Sequence, residues 1–372
     1  GITTRFAESI TVEEIEPLIN ENTKVVFTEL IGNPKLDVVD VKAVSELVHA
    51  HGIPLIIDST TATPYLIHPF AYGADVVVHS SSKYINGGGN AISGVIVDSG
   101  NFHWDSSRYD GFEPYAKYGK FAYLAKLRNA IWRNVGGCLS PMNAFLNSVG
   151  LETLGLRMER LCDNALQLAQ YLDSVDGVEV NYPALEKSPY YLLVQKQFVG
   201  KGGAILTLRA GSKEKAFCLI NHLQFATNAT NIGDVRTLVI HPASTIYAHS
   251  NEAQKQSAGV YEDLIRISVG IEDIEEALDC LLELEQAGPE LEWPEGEKLR
   301  VCPQVSTARL TVDVRHSRDW FQLHGQIAVN ESLVLDMAQM LERLAQSKGR
   351  FVPLGDGAFP ALTKQFRQQL DR

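Results

Sequence analysis

The chain has 372 residues, of which 45% are hydrophobic and 21% are charged, and its formal net charge is −12. Such a composition is ordinary for a globular protein with a packed core, and the length allows two domains or more. The acidic balance argues against a general binder of nucleic acid or of membrane surfaces. No apolar run reaches the length of a membrane helix, and residues 1–30 lack the basic and apolar pattern of a signal peptide.

The cysteines and histidines do not follow the pattern of a metal site. The five cysteines lack CxxC spacing, so they indicate neither a zinc site nor a disulfide framework, and a reducing cytoplasm fits them best. His79, His241 and His249 also lack the spacing of metal ligands. We interpret them as structural or pocket-lining residues and expect no metal.

Strand-like and helix-like segments alternate through the first hundred residues. Asp40 is placed to cap a predicted helix that carries Val44, Leu47 and Val48 on one face and ends at Gly52. A short helix VEEIEPLI follows the capping-box pattern of Thr11 and Glu14. Four apolar runs have the length of strands: TKVVFTEL, IPLIID, AYGADVVVHSS and AISGVIVDSG. The alternation predicts an α/β fold with about four strands of a mostly parallel sheet.

The second half of the chain has a different pattern. From Ser140 to Leu172 the apolar spacing is helical, as in a long helix that joins two lobes. Beyond it, five segments of alternating pattern predict antiparallel strands: VEVNYP, YYLLVQKQF, GAILTLRAG, LVIHPAS and LIRISVG. A helix is predicted near KEKAFCLINHL. This describes a second, smaller α+β lobe that ends near Ala287.

A segment rich in proline, glycine and acid, GPELEWPEGEK, predicts a linker before a C-terminal tail. The charge balance changes there, because residues 297–372 hold 11 Lys and Arg against 8 Asp and Glu. In the tail, LTVDV and WFQLHGQIAV predict strands, LVLDMAQMLERLAQ predicts a helix, and a second helix closes the chain. The predicted domains are therefore a partial large domain, a linking helix with a small domain, a linker, and an α+β tail: 1–139, 140–287, 288–300 and 301–372.

Two of the apolar runs end in groups suited to cofactor chemistry. PLIIDST carries Asp58, and VVVHSSSKYINGGGN carries Lys83 in a turn rich in hydroxyl groups and glycine. Because parallel strands bring their carboxyl ends to one edge of a sheet, we expect the two side chains to meet there. A lysine that bonds the cofactor and an aspartate that pairs with its ring nitrogen are the protein's main contribution to pyridoxal phosphate (PLP) chemistry. An exposed loop lysine and a capping aspartate remain the alternatives.

Neighbouring polar residues extend this candidate site. Ser80 and Ser82 are candidate phosphate ligands, and the glycines of 87–89 let a backbone approach closely, although a plain turn is the alternative. Asn33, in GNP, is a candidate donor to the phenolic oxygen of PLP, again with a turn as the alternative. Arg266 lies in an otherwise apolar strand and needs an anionic partner, either a substrate carboxylate or a structural ion pair.

Six longer segments carry a resemblance to a known family: GNPKLDVVDV, HGIPLIIDSTTATPYLIHP, GADVVVHSSSKYINGGGNAISGVIVDSG, GGCLSPMNAFLNSVGLETLGLRMERLCDNA, NIGDVRTLVIHPAST and IRISVGIEDIEEAL. In this order they resemble the Cys/Met-metabolism PLP enzymes, and among them the O-acetylhomoserine sulfhydrylases, over residues 1–287. The resemblance implies a PLP-dependent transferase fold of type I, like that of aspartate aminotransferase. It also implies that the chain forms a homo-oligomer.

The resemblance implies a role for each candidate residue. Lys83 would carry PLP, Asp58 would pair with its ring nitrogen and Asn33 would contact its ring oxygen. Ser80 and Ser82 would bind the phosphate of PLP. Arg266 would bind the substrate carboxylate, and Asn231 would lie close to that carboxylate. The family also has an N-terminal portion ahead of the segment that matches GITTRF, which supplies a phosphate-binding glycine turn and a tyrosine stacked on the cofactor. We therefore expect an incomplete large domain whose sheet has exposed apolar edges.

Residues from about 301 onward depart from this family. VSTARLTVDV, DWFQLHGQIAVN and GRFVPLGDGAFPALTKQFRQQLD resemble the accessory region of bacterial Swi/Snf-type helicase-like ATPases, without the ATPase motifs. A genuine fusion to a metabolic enzyme and a joined or truncated gene both stay open as explanations of this tail.

The leading functional hypothesis is PLP-dependent replacement of the γ-acetoxy group of O-acetylhomoserine by sulfide or a thiol, in homocysteine and methionine synthesis. One alternative is a methionine or cystathionine γ-lyase. An alternative of another class is an inactive fragment that acts only through interactions of its tail. The implied partners are an amino-acid substrate, sulfide or a thiol, and further copies of the chain.

Overall fold

The computed structural model describes residues 1–174, 177–223 and 226–272, and short segments after them: 300–305, 310–317, 320–328, 334–336, 340 and 358–362. The chain divides into two compact units. The first comprises 1–170, 179–220 and 226–272, and the second comprises 171–178, 221–225 and 273–372. The predicted domain boundaries at 139, 287 and 300 remain predictions.

The first unit contains nine strands in two sheets: β1 (Val26–Glu29), β2 (Leu55–Asp58), β3 (Val76–His79), β4 (Val95–Asp98), β5 (Glu179–Asn181), β6 (Ile205–Arg209), β7 (Thr227–Asn228), β8 (Leu238–Ile240) and β9 (Leu264–Ser268). The described helices are α1 (Val12–Ile15), α2 (Val41–Ala50), α3 (Thr63–Leu66), α4 (Ala122–Lys126), α5 (Arg133–Val135), α6 (Pro141–Glu152), α7 (Leu154–Asp173), α8 (Tyr191–Gln197), α9 (Lys213–His222) and α10 (Glu252–Ser257). Shorter helical turns lie at Glu16–Leu18, Pro69–Tyr72, Glu113–Phe121, Leu127–Trp132 and Pro242–Ser244. Within the described residues, no helix combines the length and the apolar character needed to cross a lipid bilayer.

The first sheet has the order β1-β2-β3-β4. β1, β2 and β3 are parallel, and β4 runs antiparallel to β3. Leu55, Ile57 and Val76 in its centre are fully buried, because apolar residues of parallel strands are covered on both faces. The predicted mostly parallel sheet of four strands is confirmed.

The connections of this sheet follow the sequence signals unequally. The Asp40 carboxylate accepts a hydrogen bond from Ala43 N at 3.1 Å, so the predicted cap of α2 is confirmed. Thr11 precedes α1 but makes no side-chain capping bond, so the predicted capping box is wrong. Residues 101–135 enclose a cluster of aromatic rings in which Trp104 stacks on Phe112 with centroids 5.1 Å apart. This cluster anchors the long excursion between β4 and α6.

The second sheet has the order β5-β6-β9-β8-β7 and is antiparallel except for β7 and β8. The strand predicted in YYLLVQKQF is wrong, because Tyr191–Gln197 forms α8. Helical spacing buries Val194, Gln197 and Phe198 on one side of that segment. The long helix predicted from Ser140 to Leu172 is interrupted at Thr153, between α6 and α7.

The second unit contains β10 (Arg300–Val305), β11 (Leu310–Ser317), β12 (Trp320–Ala328), β13 (Val334–Asp336) and β14 (Ala358–Leu362). β11, β12 and β13 form an antiparallel sheet, and β10 pairs in parallel with β14. The two strands predicted in this tail are confirmed. The helix predicted in LVLDMAQMLERLAQ is wrong at Val334–Asp336, which pairs with β12 as a strand. Residues 288–299 of the predicted linker and the predicted closing helix lie outside the described residues.

Candidate active site

The candidate site lies where β2 and β3 end. Asp58 is the last residue of β2 and is in register with Val78 of β3. Just beyond, Ser59 N donates to Val78 O at 2.9 Å, and Ser80 N donates to Thr60 Oγ1 at 2.8 Å. These bonds hold the two strand ends together, so Asp58 and the turn that carries Lys83 share one edge of the sheet.

Lys83 lies in a hydrogen-bonded turn that follows β3. Its backbone N–H donates to Ser80 O at 3.1 Å, and its carbonyl accepts from Gly87 N at 2.8 Å. The Nζ atom donates to Oδ1 of Asn231, a residue 148 positions further along the chain. Partial burial lowers the pKa of the Lys83 amine, and the positive charge of Arg266 lowers it further. The amine therefore loses its proton more readily than that of a surface lysine.

Arg266 is a buried cation in the middle of β9. Its Nη1 donates to Asn33 Oδ1 at 3.1 Å, and its Nη2 donates to Asn231 O at 2.9 Å. Its Nε is buried and makes no hydrogen bond within the described part of the chain. Burial lowers the pKa of Arg266 to about 10. A guanidinium bonded to uncharged oxygens, with a donor left over, fits an anionic ligand better than a completed structural ion pair.

The turn after β1 brings a second carboxyl group to the site. Glu29 and Asp58 are paired residues of β1 and β2. Glu29 Oε2 accepts from Asn33 N at 3.2 Å and so orients the asparagine that bonds Arg266. Protein atoms packed around the carboxyl group raise the pKa of Glu29 to about 7 although the residue as a whole is exposed, with the Asp58 charge as a second cause. The sequence analysis missed Glu29, although its place at a strand end, like that of Asp58, was a usable signal.

The two serines beside Lys83 differ in their contacts. The Ser82 hydroxyl donates to Ser93 O at 3.1 Å and accepts from Ser93 N at 2.8 Å. The backbone N–H of Ser80 is bonded to Thr60. Ser82 is therefore anchored to the segment that leads into β4, and both serines remain predicted phosphate ligands.

The glycine run after Lys83 is shaped by protein neighbours. A Cβ atom on Gly87 would lie 2.5 Å from Nη1 of Arg157, and a Cβ on Gly89 would lie 3.0 Å from a carboxylate oxygen of Asp234. Both glycines have positive φ angles, +74° and +64°. The close backbone approach expected of these glycines is therefore made toward side chains of the same chain.

The residues present fit PLP by their chemistry. The Lys83 amine, with its lowered pKa, and the Asp58 carboxylate share one sheet edge. The buried Arg266 guanidinium, whose Nε lacks a hydrogen-bond partner among the described residues, lies in the same hydrogen-bonded network as Lys83. These are the group types that bond the cofactor, face its ring nitrogen and bind an amino acid's carboxylate. Asn33, Asn231, Lys83 and Arg266 are brought together by direct contacts.

Comparison with known proteins identifies the family. The model of the Cys/Met metabolism PLP-dependent enzymes matches residues 1–287. Homocysteine synthase of Schizosaccharomyces pombe is 41% identical over an alignment of 293 residues that covers 75% of this chain and 68% of that protein. O-acetyl-L-homoserine sulfhydrylase of Leptospira meyeri is 38% identical over an alignment of 308 residues that covers 77% of this chain and 69% of that protein.

Solved structures agree with this assignment. A putative O-acetylhomoserine (thiol)-lyase from Campylobacter jejuni, which contains a pyridoxyl-lysine phosphate, superposes with a TM-score of 0.69 at 32% identity. That match covers 74% of this chain and 69% of the other. O-acetylhomoserine sulfhydrylase of Wolinella succinogenes superposes with a TM-score of 0.65 at 40% identity, over 74% of this chain and 75% of the other.

The family match ends at residue 287, and the comparisons give no support to the expected likeness of residues 301–372 to a helicase accessory region. Over the matched residues, motif order, sheet topology and superposition agree. The chain belongs to the Cys/Met metabolism PLP-dependent enzymes and has their fold, type I of the PLP-dependent enzymes.

Proposed function

We propose that this protein replaces the γ-acetoxy group of O-acetylhomoserine with sulfide or a thiol. With hydrogen sulfide the products are homocysteine and acetic acid, so the new C–S bond takes the place of the broken C–O bond. The observation that carries the proposal is the network in which Lys83 contacts Asn231 while Arg266 contacts both Asn231 and Asn33. It places a nucleophilic amine close to a cation suited to a substrate carboxylate.

Each residue at the strand ends has a role in this proposal. Lys83 bonds the cofactor, Asp58 faces its ring nitrogen, and Asn33 contacts its ring oxygen. Ser80 and Ser82 bind its phosphate. The support is the common sheet edge of Asp58 and the Lys83 turn, together with the family to which the chain belongs.

Substrate binding is assigned to Arg266, and proton transfer is assigned to Lys83 with the help of Asn231. PLP, when bound, supplies an electron sink that stabilises negative charge at the substrate Cα. The Arg266 guanidinium binds the α-carboxylate and fixes the direction in which Cα points. Lys83 Nζ, with its lowered pKa, accepts and returns a proton at Cα. Asn231 Oδ1 accepts a hydrogen bond from Nζ and so orients the amine.

A product assay with two arms tests this function. The chain is supplied with PLP and O-acetylhomoserine, with and without sulfide, and homocysteine and 2-oxobutyrate are measured. Homocysteine that requires both sulfide and Lys83 supports γ-replacement, with Lys83→Ala as the matched control. Release of 2-oxobutyrate without sulfide would make the protein a γ-lyase. Cystathionine gamma-lyase of Lactobacillus plantarum, whose structure is solved, is 28% identical to this chain. A chain that traps no PLP on borohydride reduction would be the inactive fragment.

We infer further that the protein acts as a homo-oligomer. One face of α6 carries Met142, Phe145 and Val149, which are 64%, 61% and 48% exposed. A contiguous apolar stripe at helical spacing favours a protein partner, and a two-fold contact between copies would cover it. Light scattering should show a smaller particle for Phe145→Glu than for Leu192→Glu, which changes an exposed leucine of α8 outside this stripe. Equal masses for both variants and the parent chain would contradict the assignment of this face.

The cytoplasm is the proposed location. Cys138 is exposed and Cys162 is buried, and both carry free thiols. Unpaired cysteines persist most readily in a reducing compartment.

A further inference from the structure

Arg157, which the sequence analysis did not single out, is buried against the turn that carries Lys83. The residue belongs to α7 and is 7% exposed. Its Nη1 donates to Tyr84 O at 2.6 Å, and its Nη2 donates to Ile85 O at 3.1 Å. The guanidinium therefore bonds the carbonyls of the two residues that directly follow the lysine.

The same guanidinium also binds the junction between two helices. Nη2 donates to Gly150 O at 2.6 Å, and Nε donates to Thr153 Oγ1 at 3.1 Å. Gly150 lies in the last turn of α6, where carbonyl groups lack intrahelical partners and a cation is favoured. Arg157 thus joins the end of α6, the start of α7 and the Lys83 turn in one set of hydrogen bonds.

Two glycines make room for this contact. A Cβ atom on Gly87 would lie 2.5 Å from Arg157 Nη1, and a Cβ on Gly150 would lie 2.5 Å from both Ile85 O and Asn86 O. Neither position tolerates a larger residue without a shift of backbone or guanidinium. The sequence therefore allows the close approach by a glycine on each side, Gly87 in the Lys83 turn and Gly150 in α6.

The contact extends to the partner of the lysine. Gly87 N donates to Lys83 O at 2.8 Å, and Gly87 O accepts from Val235 N at 2.9 Å. Val235 follows the segment that holds Asn231, whose side chain accepts from Lys83 Nζ. The backbone held by Arg157 thus connects both members of the Lys83 and Asn231 pair.

We propose that Arg157 is a positioning residue that fixes Lys83 for its reaction by holding the carbonyls of Tyr84 and Ile85. The three nitrogen atoms of the planar guanidinium donate four hydrogen bonds to oxygens on three segments at once, and an ammonium group has no equivalent geometry. The proposal rests on the proposed function of Lys83 as the residue that bonds PLP. It requires no contact between Arg157 and either cofactor or substrate.

The first test uses the protein without cofactor. Hydrogen exchange is measured for the amides of residues 80–90 and of Val235 in the parent chain, Arg157→Met and Arg157→Lys. We expect faster exchange in these segments, largest for Met, while other strands of the sheet keep their protection. Arg160→Met is the matched control, because Arg160 is an exposed residue one turn further along α7 and donates to Glu272 O at 3.4 Å. Unchanged exchange in Arg157→Met would overturn the proposal.

The second test measures how Lys83 reacts with PLP. The rate of covalent PLP attachment, followed by absorbance from pH 6 to 10, should fall about tenfold or more in Arg157→Met, because a small misplacement of a reacting group is costly. Its pH midpoint should rise, since a loosened Lys83 regains water and loses the burial that lowers its pKa. Guanidinium ion added at a non-denaturing concentration should restore part of the attachment rate of Arg157→Met. The same addition should leave the attachment rate of Arg160→Met unchanged.

The outcomes separate the two proposals. If the parent chain attaches no PLP, the proposed function fails, while the hydrogen-exchange arm still decides whether Arg157 holds the turn. If the parent attaches PLP and Arg157→Met does so at the same rate and midpoint, the positioning role fails alone. Should Arg157→Met not fold, Arg157→Lys provides the same comparison, and parent-like exchange and attachment in that variant would refute the role.

Discussion

Glu29 and Asp58 place two carboxyl groups at adjacent strand ends, where like charges oppose each other. Glu29 pairs with Asp58 in the β1 and β2 register, and desolvation of its carboxyl group, followed by the Asp58 charge, raises the pKa of Glu29 to about 7. Near neutral pH this carboxyl group therefore holds its proton far more often than a glutamate with the ordinary pKa of 4.5. Protonation also preserves the oxygen that accepts from Asn33 N. Glu29 can thus support the asparagine without adding a full negative charge beside Asp58.

The first prediction concerns stability and pH. Below about pH 4.5, the ordinary value, Glu29 is protonated in both the folded and unfolded chains, so it costs no stability. As the pH rises through about 7, the unfolded chain releases the proton first, and the folded state loses stability. Glu29→Gln removes this titration. The free energy of unfolding of this variant should therefore exceed that of the parent chain by an amount that grows from about pH 4.5 to about pH 7 and then levels off. Because Glu29 is exposed by surface area, solvent screening limits the gain to about 1 kcal/mol.

Thermal unfolding of both chains without cofactor, measured from pH 4 to 8, checks this prediction. Glu46→Gln on α2 controls for the loss of a carboxylate, since Glu46 is exposed and lies 3.8 Å from Lys42. A stability difference between Glu29→Gln and the parent that does not change with pH would contradict the assigned titration.

The second prediction concerns Asp58→Asn. The amide retains an oxygen for Thr60 N, which now bonds the carboxylate at 2.8 Å, so the local turn should persist. The variant loses the negative charge that supports the electron sink at the cofactor's ring nitrogen. We expect exchange of the substrate Cα hydrogen for deuterium, followed by NMR, to fall about a hundredfold, with PLP affinity changed by less than tenfold. Equal losses in exchange and affinity would make Asp58 a structural residue.

Single residues were predictable where they end an apolar run. Asp58 ends β2, Lys83 lies in the turn after β3, and Arg266 was identifiable as a cation in an apolar strand, while their roles at the site stay predictions. Arg157 was missed because an arginine in an amphipathic helix is ordinarily a surface residue. Its spacing from Leu154 and Leu161, both buried, was the available signal. The bond between Ser82 and Ser93 could not be predicted, because it depends on the path of the chain between β3 and β4.

At the scale of secondary structure, α8 completes the start of α2. Gln197, the last residue of α8, is 3% exposed. Its Nε2 donates to Val39 O at 2.9 Å, and its Oε1 accepts from Val41 N at 3.0 Å. Val41 is the first residue of α2, where backbone N–H groups need partners from outside the helix. One side chain therefore supplies bonds that the Asp40 cap does not make.

The third prediction is that Gln197→Ala destabilises the chain by about 2 to 3 kcal/mol, because it leaves two buried backbone groups without partners. Gln195→Ala changes an exposed glutamine of the same helix and should cost less than about 0.5 kcal/mol. Urea unfolding monitored by far-UV circular dichroism compares the two. Similar midpoints for both variants would show that the Gln197 bonds contribute little.

The error at α8 shows the limit of local patterns. YYLLVQKQF is short and rich in aromatic and branched residues, which are common in strands. The segment is helical because Val194 and Phe198 pack inward while Gln197 bonds the start of α2. All three contacts are tertiary, and none can be read from the nine residues alone. The β2 and β3 runs were predictable because burial in a parallel sheet leaves continuous apolar sequence.

At the scale of the whole molecule, two kinds of boundary differ. The family match ends at residue 287, whereas the first compact unit ends at 272. Composition predicted a change near 288–300, because proline, glycine and acidic residues accumulate there and the charge balance of the tail reverses. Composition could not predict that the second unit also includes 171–178 and 221–225. Compactness depends on contacts between distant parts of the chain, which composition does not record.

The last prediction concerns limited proteolysis. We expect the first cleavage between Pro289 and Arg300, because this segment follows the end of the family match at residue 287 and is rich in residues that disfavour helix and strand. In the tail, β10 pairs with β14, so the first and last described strands beyond the cut are joined to each other. A tail of about 75 residues has a small core, so its fragment should be degraded sooner than the larger one.

Cofactor retention makes this prediction specific. Protein reduced with borohydride in the presence of PLP is digested, and the fragments are identified by mass. The label should remain on the N-terminal fragment at Lys83, and a chain shortened to residues 1–287 should bind PLP as the parent does. Loss of PLP binding on cleavage or in the shortened chain would show that the tail contributes to the stability of the site. First cleavage within 101–135, the long excursion between β4 and α6, would place the weakest point of the molecule beside β4 instead.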